Sequence, residues 1–278
     1  MAQFGSALEW GSRGRGFKSR QPECIPIMKI LITNDDGINA KGLIALYNSI
    51  RKIANQTVII VPDRERSAVS QAITLHSPIR MKKIKKNIYT IDGTPTDCVY
   101  LTTLGAIDFK PDIVISGINK GPNMGEDIVY SGTVAAAIES TFAGIPAFSI
   151  SIDAFSGKIY FNTAAEIAQI IVKKIYEKSL PSGIFLNVNV PNLPKEKIKG
   201  VKITKLGTRK YRDKLIKQID PNGNPYFLFS SDDVVWKEEK KSDYYEVKQG
   251  YVSITPLHLD LTAYEFIPKL EKWEVKYG

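Results

Sequence analysis

Cysteine and histidine are scarce in this chain. Its 278 residues hold two of each: Cys24 and Cys98, His76 and His258. The cysteines lie far apart and neither histidine has ligand spacing with another His or Cys. That argues against a zinc centre and a disulfide framework, and reads as reduced thiols in a cytoplasmic protein. His76 and His258 read as structural or surface residues. No apolar run approaches the roughly 18 residues of a membrane-spanning helix. The N-terminus has no apolar secretory core. A G-x-S-x-G elbow and a G-x-x-x-x-G-K-[ST] loop are both missing, which argues against a serine hydrolase and a P-loop kinase. RNP, zinc-finger and helix-turn-helix patterns are missing too.

What is present is an ordinary globular composition, 43% hydrophobic and 24% charged, with a net charge of +9. That length suits one large domain, or one domain with an elaboration. The lysines are scattered in "MKKIKKN" (81–87), "KEKIK" (195–199) and "KEEKK" (237–241). This pattern reads as a solvated surface with some pull on anionic substrates, and no nucleic-acid partner is expected. RNA binding is the competing reading of the charge.

Residues 1–27 are rich in Gly, Ser and Arg and show no period. They read as a disordered extension, with Met28 as the functional start. The "GRGF" within it lacks the preceding strand of a dinucleotide fingerprint. From Met28 strands and helices alternate. Buried-strand runs fall at 28–33, 57–62, 112–119, 147–152 and 184–191, and helical patterns at 40–53, 94–105, 132–144 and 162–178. The segment 81–92 reads as a hairpin arm or edge strand. Thr94 is placed to cap its helix, with Pro95 in the first turn and Gly105 at the stop. Continuous Val/Ile strands alternating with helices predict an α/β, Rossmann-like, doubly wound and mostly parallel sheet over 28–200. Beyond it, 201–278 reads as a smaller β-rich elaboration: a protruding hairpin for oligomer contacts, then a tail helix at 262–274.

In such a sheet, ligands bind outside the carboxyl ends of the strands. Three polar loops are placed there. The first is "NDDG", Asn34 to Gly37; the second is "DRERSAVSQ", with Asp63, Ser67 and Ser70; the third is "GINKGPNMGEDIVYSGT". Adjacent Asp35 and Asp36 cannot share an apolar pocket unless a cation neutralises them. A hard divalent ion takes carboxylate, amide and hydroxyl oxygens, which Asp35, Asp36, Asn119 and Ser67 offer. The plainer reading of "NDDG" is a turn, but a helix follows it rather than a second strand. In "YSGTVAAA", Ser131 and Thr133 are natural caps and Gly132 leaves amides open, so Ser131–Thr133 reads as an anion cradle at a helix start or as simple capping. Lys120 adds charge or is merely exposed. Ser116 and Asn123 are ligands or turn formers, and Tyr130 is core or rim. An oxygen-held metal beside an anion cradle suggests metal-assisted phosphoester hydrolysis, with Asp35 or Asp36 orienting or deprotonating water. A non-catalytic nucleotide or polyphosphate sensor is the alternative.

The segments "ILITNDDGINAKGL", "VPDRERSAVSQAITLHSPIR", "GTPTDCVYL", "SGINKGPNMGEDIVYSGTVAAAIE" and "GYVSITPLHLDLT" together resemble the survival protein SurE family. The resemblance runs from Met28 to the C-terminal segment and is loose over 205–245. It implies a metal-dependent 5′-nucleotidase that hydrolyses nucleoside 5′- and 3′-monophosphates, and short polyphosphate as a further substrate. It implies one divalent cation per subunit, Mg²⁺ or Mn²⁺, on Asp35, Asp36, Ser67 and Asn119. Phosphate contacts fall on Ser131, Gly132 and Thr133. A homodimer or homotetramer with exchanged C-terminal segments is implied as well.

Overall fold

The computed structural model describes residues 28–210, 214–230, 235–275 and 277. The extension expected over 1–27, with Cys24, lies outside the described residues. From Met28 the chain forms β1 (Lys29–Thr33), α1 (Lys41–Ile50), β2 (Gln56–Pro62), β3 (Met81–Lys85), β4 (Ile88–Ile91), α2 (Pro95–Thr103) and β5 (Ile113–Lys120). Next come α3 (Gly132–Phe142), β6 (Ala147–Asp153), α4 (Phe161–Lys178), β7 (Ile184–Pro191) and β8 (Val201–Ile203). The remainder is β9 (Arg209–Lys210), β10 (Lys214–Ile219), β11 (Pro225–Ser230), β12 (Val235–Trp236), α5 (Asp243–Lys248), β13 (Val252–His258) and α6 (Ile267–Glu271).

The central sheet has nine strands in the order β3-β4-β2-β1-β5-β6-β7-β13-β8. From β4 to β7 the strands are parallel. The outer β3 is antiparallel to β4, and β13 is antiparallel to β7. Side chains alternate across each strand, so both faces of a parallel sheet must be apolar. Ile30 and Ile32 enter one core beneath α1 and α4, while Leu31 enters the other beneath α2 and α3. The chain leaves β1 toward β2 on one side and returns to β5 on the other. The β1–β5 boundary is therefore the switch point, where a crevice opens at the strand ends.

Local chemistry explains the boundaries. The Thr94 hydroxyl accepts the Asp97 N–H at 3.1 Å, and Asp97 Oδ2 accepts the Thr94 N–H at 2.9 Å, a reciprocal cap that starts α2. The segment 81–92 is two strands rather than one arm, because Asn87 takes a left-handed turn (φ 61°) between β3 and β4. Beyond residue 200, β8 and β13 join the central sheet. The six-residue α5 was not expected. The tail helix expected over 262–274 is a 3₁₀ turn at Tyr264–Phe266 followed by the five-residue α6. Among the described residues, no helix is long and apolar enough to cross a membrane.

Candidate active site

The β1–α1 loop is closed by its own first residue. Asn34 is buried; its Nδ2 donates to the Gly37 carbonyl at 3.0 Å, and the Gly37 N–H donates to Asn34 Oδ1 at 3.2 Å. Gly37 sits at φ 84°, where a Cβ would be strained. This clasp holds Asp35 and Asp36 in a fixed turn at the end of β1.

Asp35 is 5% exposed, and its Oδ1 accepts the hydroxyl of the fully buried Thr133 at 2.5 Å. Burial, with the neighbouring Asp36 charge, pushes its carboxyl up to about 6 despite that hydrogen bond. Asp36 is half-buried, and its Oδ2 accepts the Lys120 N–H at 3.4 Å. Desolvation, then the charge of Glu65, raises its carboxyl above the usual range. Two adjacent carboxylates that both resist ionisation form a site that gains from a cation.

The second loop is tied to the first through its backbone, the Arg66 N–H donating to the Asp35 carbonyl at 2.8 Å. Ser67 follows directly; it is exposed, and its hydroxyl donates to Glu65 at 2.7 Å. The same loop is stitched to the segment before α3 by Ser70, whose N–H donates to the Tyr130 carbonyl at 3.0 Å and whose hydroxyl donates to the Val129 carbonyl at 2.7 Å.

The third loop leaves β5 through a register irregularity between Gly117 and Asn119. An irregularity of that kind re-aims a strand's side chains. Asn119 Nδ2 donates to the Gly121 carbonyl at 2.8 Å, which leaves its Oδ1 as the open acceptor. At α3, Ser131 Oγ accepts the Val134 N–H at 3.1 Å, so that side chain is a cap. Gly132 lies directly against Asp35: a Cβ there would stand 3.1 Å from Asp35 Cβ and 3.2 Å from Oδ2.

The remaining candidates sort cleanly. Tyr130 is a rim residue, 59% exposed. Lys120 is exposed and reaches Asp36 through its main chain. The Ser116 hydroxyl is buried without a partner. Asn123 belongs to a buried network: its N–H donates to Asn189 Oδ1 at 2.9 Å, its Nδ2 to Ser151 at 2.8 Å, and its carbonyl accepts both Asn187 and Asn189 at 2.8 Å. It is thus a loop anchor. That network escaped the sequence reading, although the alternating "NVNV" of β7 was its signal. His76 and His258 are exposed, and Cys98 is buried with its thiol pushed up by desolvation.

The donor chemistry fits a hard cation. Asp35, Asp36 and the open Asn119 oxygen are oxygen ligands, and Gly132 leaves the space beside Asp35 free of a side chain. Among the described residues no group of three or more His, Cys, Asp or Glu could hold an ion. A cation at this rim would therefore need neutral oxygens to complete its shell.

These features define a class: a doubly wound α/β protein with a carboxylate pair at its switch point, set against a helix start. The family model for survival protein SurE matches residues 30–213. The "5′-nucleotidase SurE" of Geotalea daltonii is 48% identical over 248 residues, covering 89% of this chain and all of that protein. The protein of the same name from Geobacter metallireducens is 45% identical over 247 residues, covering 89% and 98%. The crystal structure of the SurE protein from Aquifex aeolicus superposes with a TM-score of 0.80 at 42% identity, covering 89% of this chain and 100% of that one. This chain belongs to the survival protein SurE family.

Proposed function

We propose that this chain is a 5′-nucleotidase, a metal-dependent phosphatase of nucleoside 5′-monophosphates. Nucleoside 3′-monophosphates and short polyphosphate are further substrates of the same site. The observation that carries the reading is the buried Asp35, raised in pKa, pressed against Gly132 at the start of α3. Carboxylates that need a cation and helix amides that need an anion lie in contact, and a phosphate ester with a divalent ion satisfies both.

In this reading Asp35, Asp36, Ser67 and Asn119 hold one Mg²⁺ or Mn²⁺ ion. When bound, the ion supplies Lewis acidity toward the phosphoryl oxygens and makes water a better nucleophile. The chain's own residues do the rest. Ser131, Gly132 and Thr133 contact the phosphate, the amides of Gly132 and Thr133 at the start of α3 steadying its developing charge. The Thr133 hydroxyl fixes the Asp35 rotamer. Asp35 or Asp36 takes the proton of the attacking water. The Asn34–Gly37 clasp keeps both carboxylates in place through the reaction.

The protein acts in the cytoplasm as a homodimer or homotetramer. Support for self-association comes from the β10–β11 hairpin and the tail, where Phe229 is 84% exposed and Leu261 95%. The test of function is phosphate release from AMP and GMP with Mn²⁺, abolished by EDTA. A folded sample that binds nucleotide and releases no phosphate with Mg²⁺, Mn²⁺ or Co²⁺ is a sensor, and the proposal fails.

A further inference from the structure

A cleft of about 490 Å³ opens beside Asp36, bounded by the start of α1 on one side and the loop between β6 and α4 on the other. Its two walls differ. The α1 wall is polar, with Asn39 and Lys41 beside a helix start whose N-cap, Ala40, supplies no side-chain hydrogen bond. Lys120 adds a second cation. The opposite wall carries the apolar side chains of Phe155, Ile159 and Phe161.

Phe155 is 71% exposed. Its ring lies over Gly121, close enough that a Cβ there would meet Phe155 Cε1 at 2.6 Å. Gly121 is the residue whose carbonyl accepts the Asn119 amide. The ring thus packs against the backbone that orients one of the proposed metal ligands, and most of its surface is exposed where it lines the cleft. An exposed aromatic face is costly in water and gains when a flat ring stacks on it. It offers nothing to a chain of phosphates, whereas a nucleobase matches it.

We infer that Phe155 is the specificity-determining platform of the cleft. It stacks the base of a nucleoside monophosphate while Asn39 and the α1 start face the ribose. This rests on reading the adjoining carboxylate rim as the phosphate site. The cleft places the base on the Asp36 side and leaves the α3 start to the phosphate. Stacking on an aromatic side chain tolerates any base, so the platform selects nucleotides over base-free esters without choosing between purines.

The experiment compares wild type with Phe155→Ala and Phe155→Trp in Mn²⁺, using AMP, GMP and ribose 5-phosphate. Loss of one stacking surface is expected to raise KM for AMP and GMP roughly tenfold or more. The kcat/KM for ribose 5-phosphate falls far less than that for AMP and GMP, and Phe155→Trp restores the wild-type KM. Equal loss on all three substrates, or an unchanged KM for AMP in Phe155→Ala, overturns the inference. Calorimetric binding of AMP to metal-free protein separates it from the phosphatase reading. A wild type that binds AMP without hydrolysing it refutes the phosphatase alone, and the platform then stands on a tenfold weaker binding by Phe155→Ala and falls without it.

Discussion

The strand β1 and the hairpin β10–β11 are built from similar residues and end in opposite environments. Ile30, Leu31 and Ile32 are fully buried, while Leu215, Ile219, Phe227 and Phe229 are 52–84% exposed. The difference is in the neighbours. β1 is hydrogen-bonded on both edges and covered on both faces, whereas among the described residues the hairpin strands pair only with each other. A lone two-stranded hairpin is marginal in water. The register places Leu215, Ile219, Phe227 and Phe229 on one face. One region is buried on both faces and leads into the carboxylate rim. The other presents an apolar face that stays open to solvent in the single chain.

The sharpest way to break this contrast is Asp36→Asn. The substitution keeps the shape of the side chain and removes its charge. Phosphate release should fall by about 10²–10⁴-fold, the usual worth of a positioned acid–base group. Desolvation raises this carboxyl, so its charged form is disfavoured in the fold, and Asp36→Asn should leave the metal-free melting temperature unchanged or higher. Mn²⁺ at about 100 times its Kd should stabilise the wild type by about 2.7 kcal/mol, and the variant far less. Retained turnover, or an undiminished Mn²⁺ shift in calorimetry, would remove Asp36 from the site.

Gly132→Ala tests the next link with a smaller effect. The added methyl stands 3.1 Å from Asp35 Cβ and 3.3 Å from the Arg66 carbonyl, so the two loops must part slightly. Overpacking of this kind costs about 1–3 kcal/mol. Displacing a catalytic group by a fraction of an ångström lowers activity by up to about 10²-fold. Denaturant melts and AMP kinetics read both quantities. A variant with wild-type kinetics would show that the Asp35–Gly132 contact is packing only.

The buried region was also the legible one. Its strands are continuous apolar runs because they are buried on both faces. Asp35 and Asp36 stood out because a buried strand led into two like charges. Ser67 and Asn119 had weaker signals of their own, and the family likeness singled them out. What stayed hidden depends on contacts between distant segments. Asn123 reads as a turn former until Asn187 and Asn189, on another strand, close around its carbonyl. The Asp243 carboxylate, which accepts the N–H groups of Gly125 at 2.9 Å and Gly207 at 2.8 Å, ties the start of α5 to the loop before α3. Six residues of helix are too few for periodicity to reveal α5. Phe155 has no periodic partner in the sequence, and only the fold brings it to the cleft beside Asp36.

The gentlest test falls on the exposed region. Phe229→Asp places a charge on the exposed face of the hairpin, 84% open in the single chain. No core contact is lost, so the melting free energy of the isolated chain should move by less than about 0.5 kcal/mol. In an assembly the same charge is buried without a partner, which disfavours association. Sedimentation should therefore show the wild type as a dimer or tetramer and Phe229→Asp as a smaller species. Phosphate release from AMP should persist in the variant, because the hairpin strands supply none of Asp35, Asp36, Asn119 or Gly132. Unchanged mass in both proteins would mean that the hairpin face is not where copies meet. A smaller species that has also lost activity would mean that the rim is not complete within one chain.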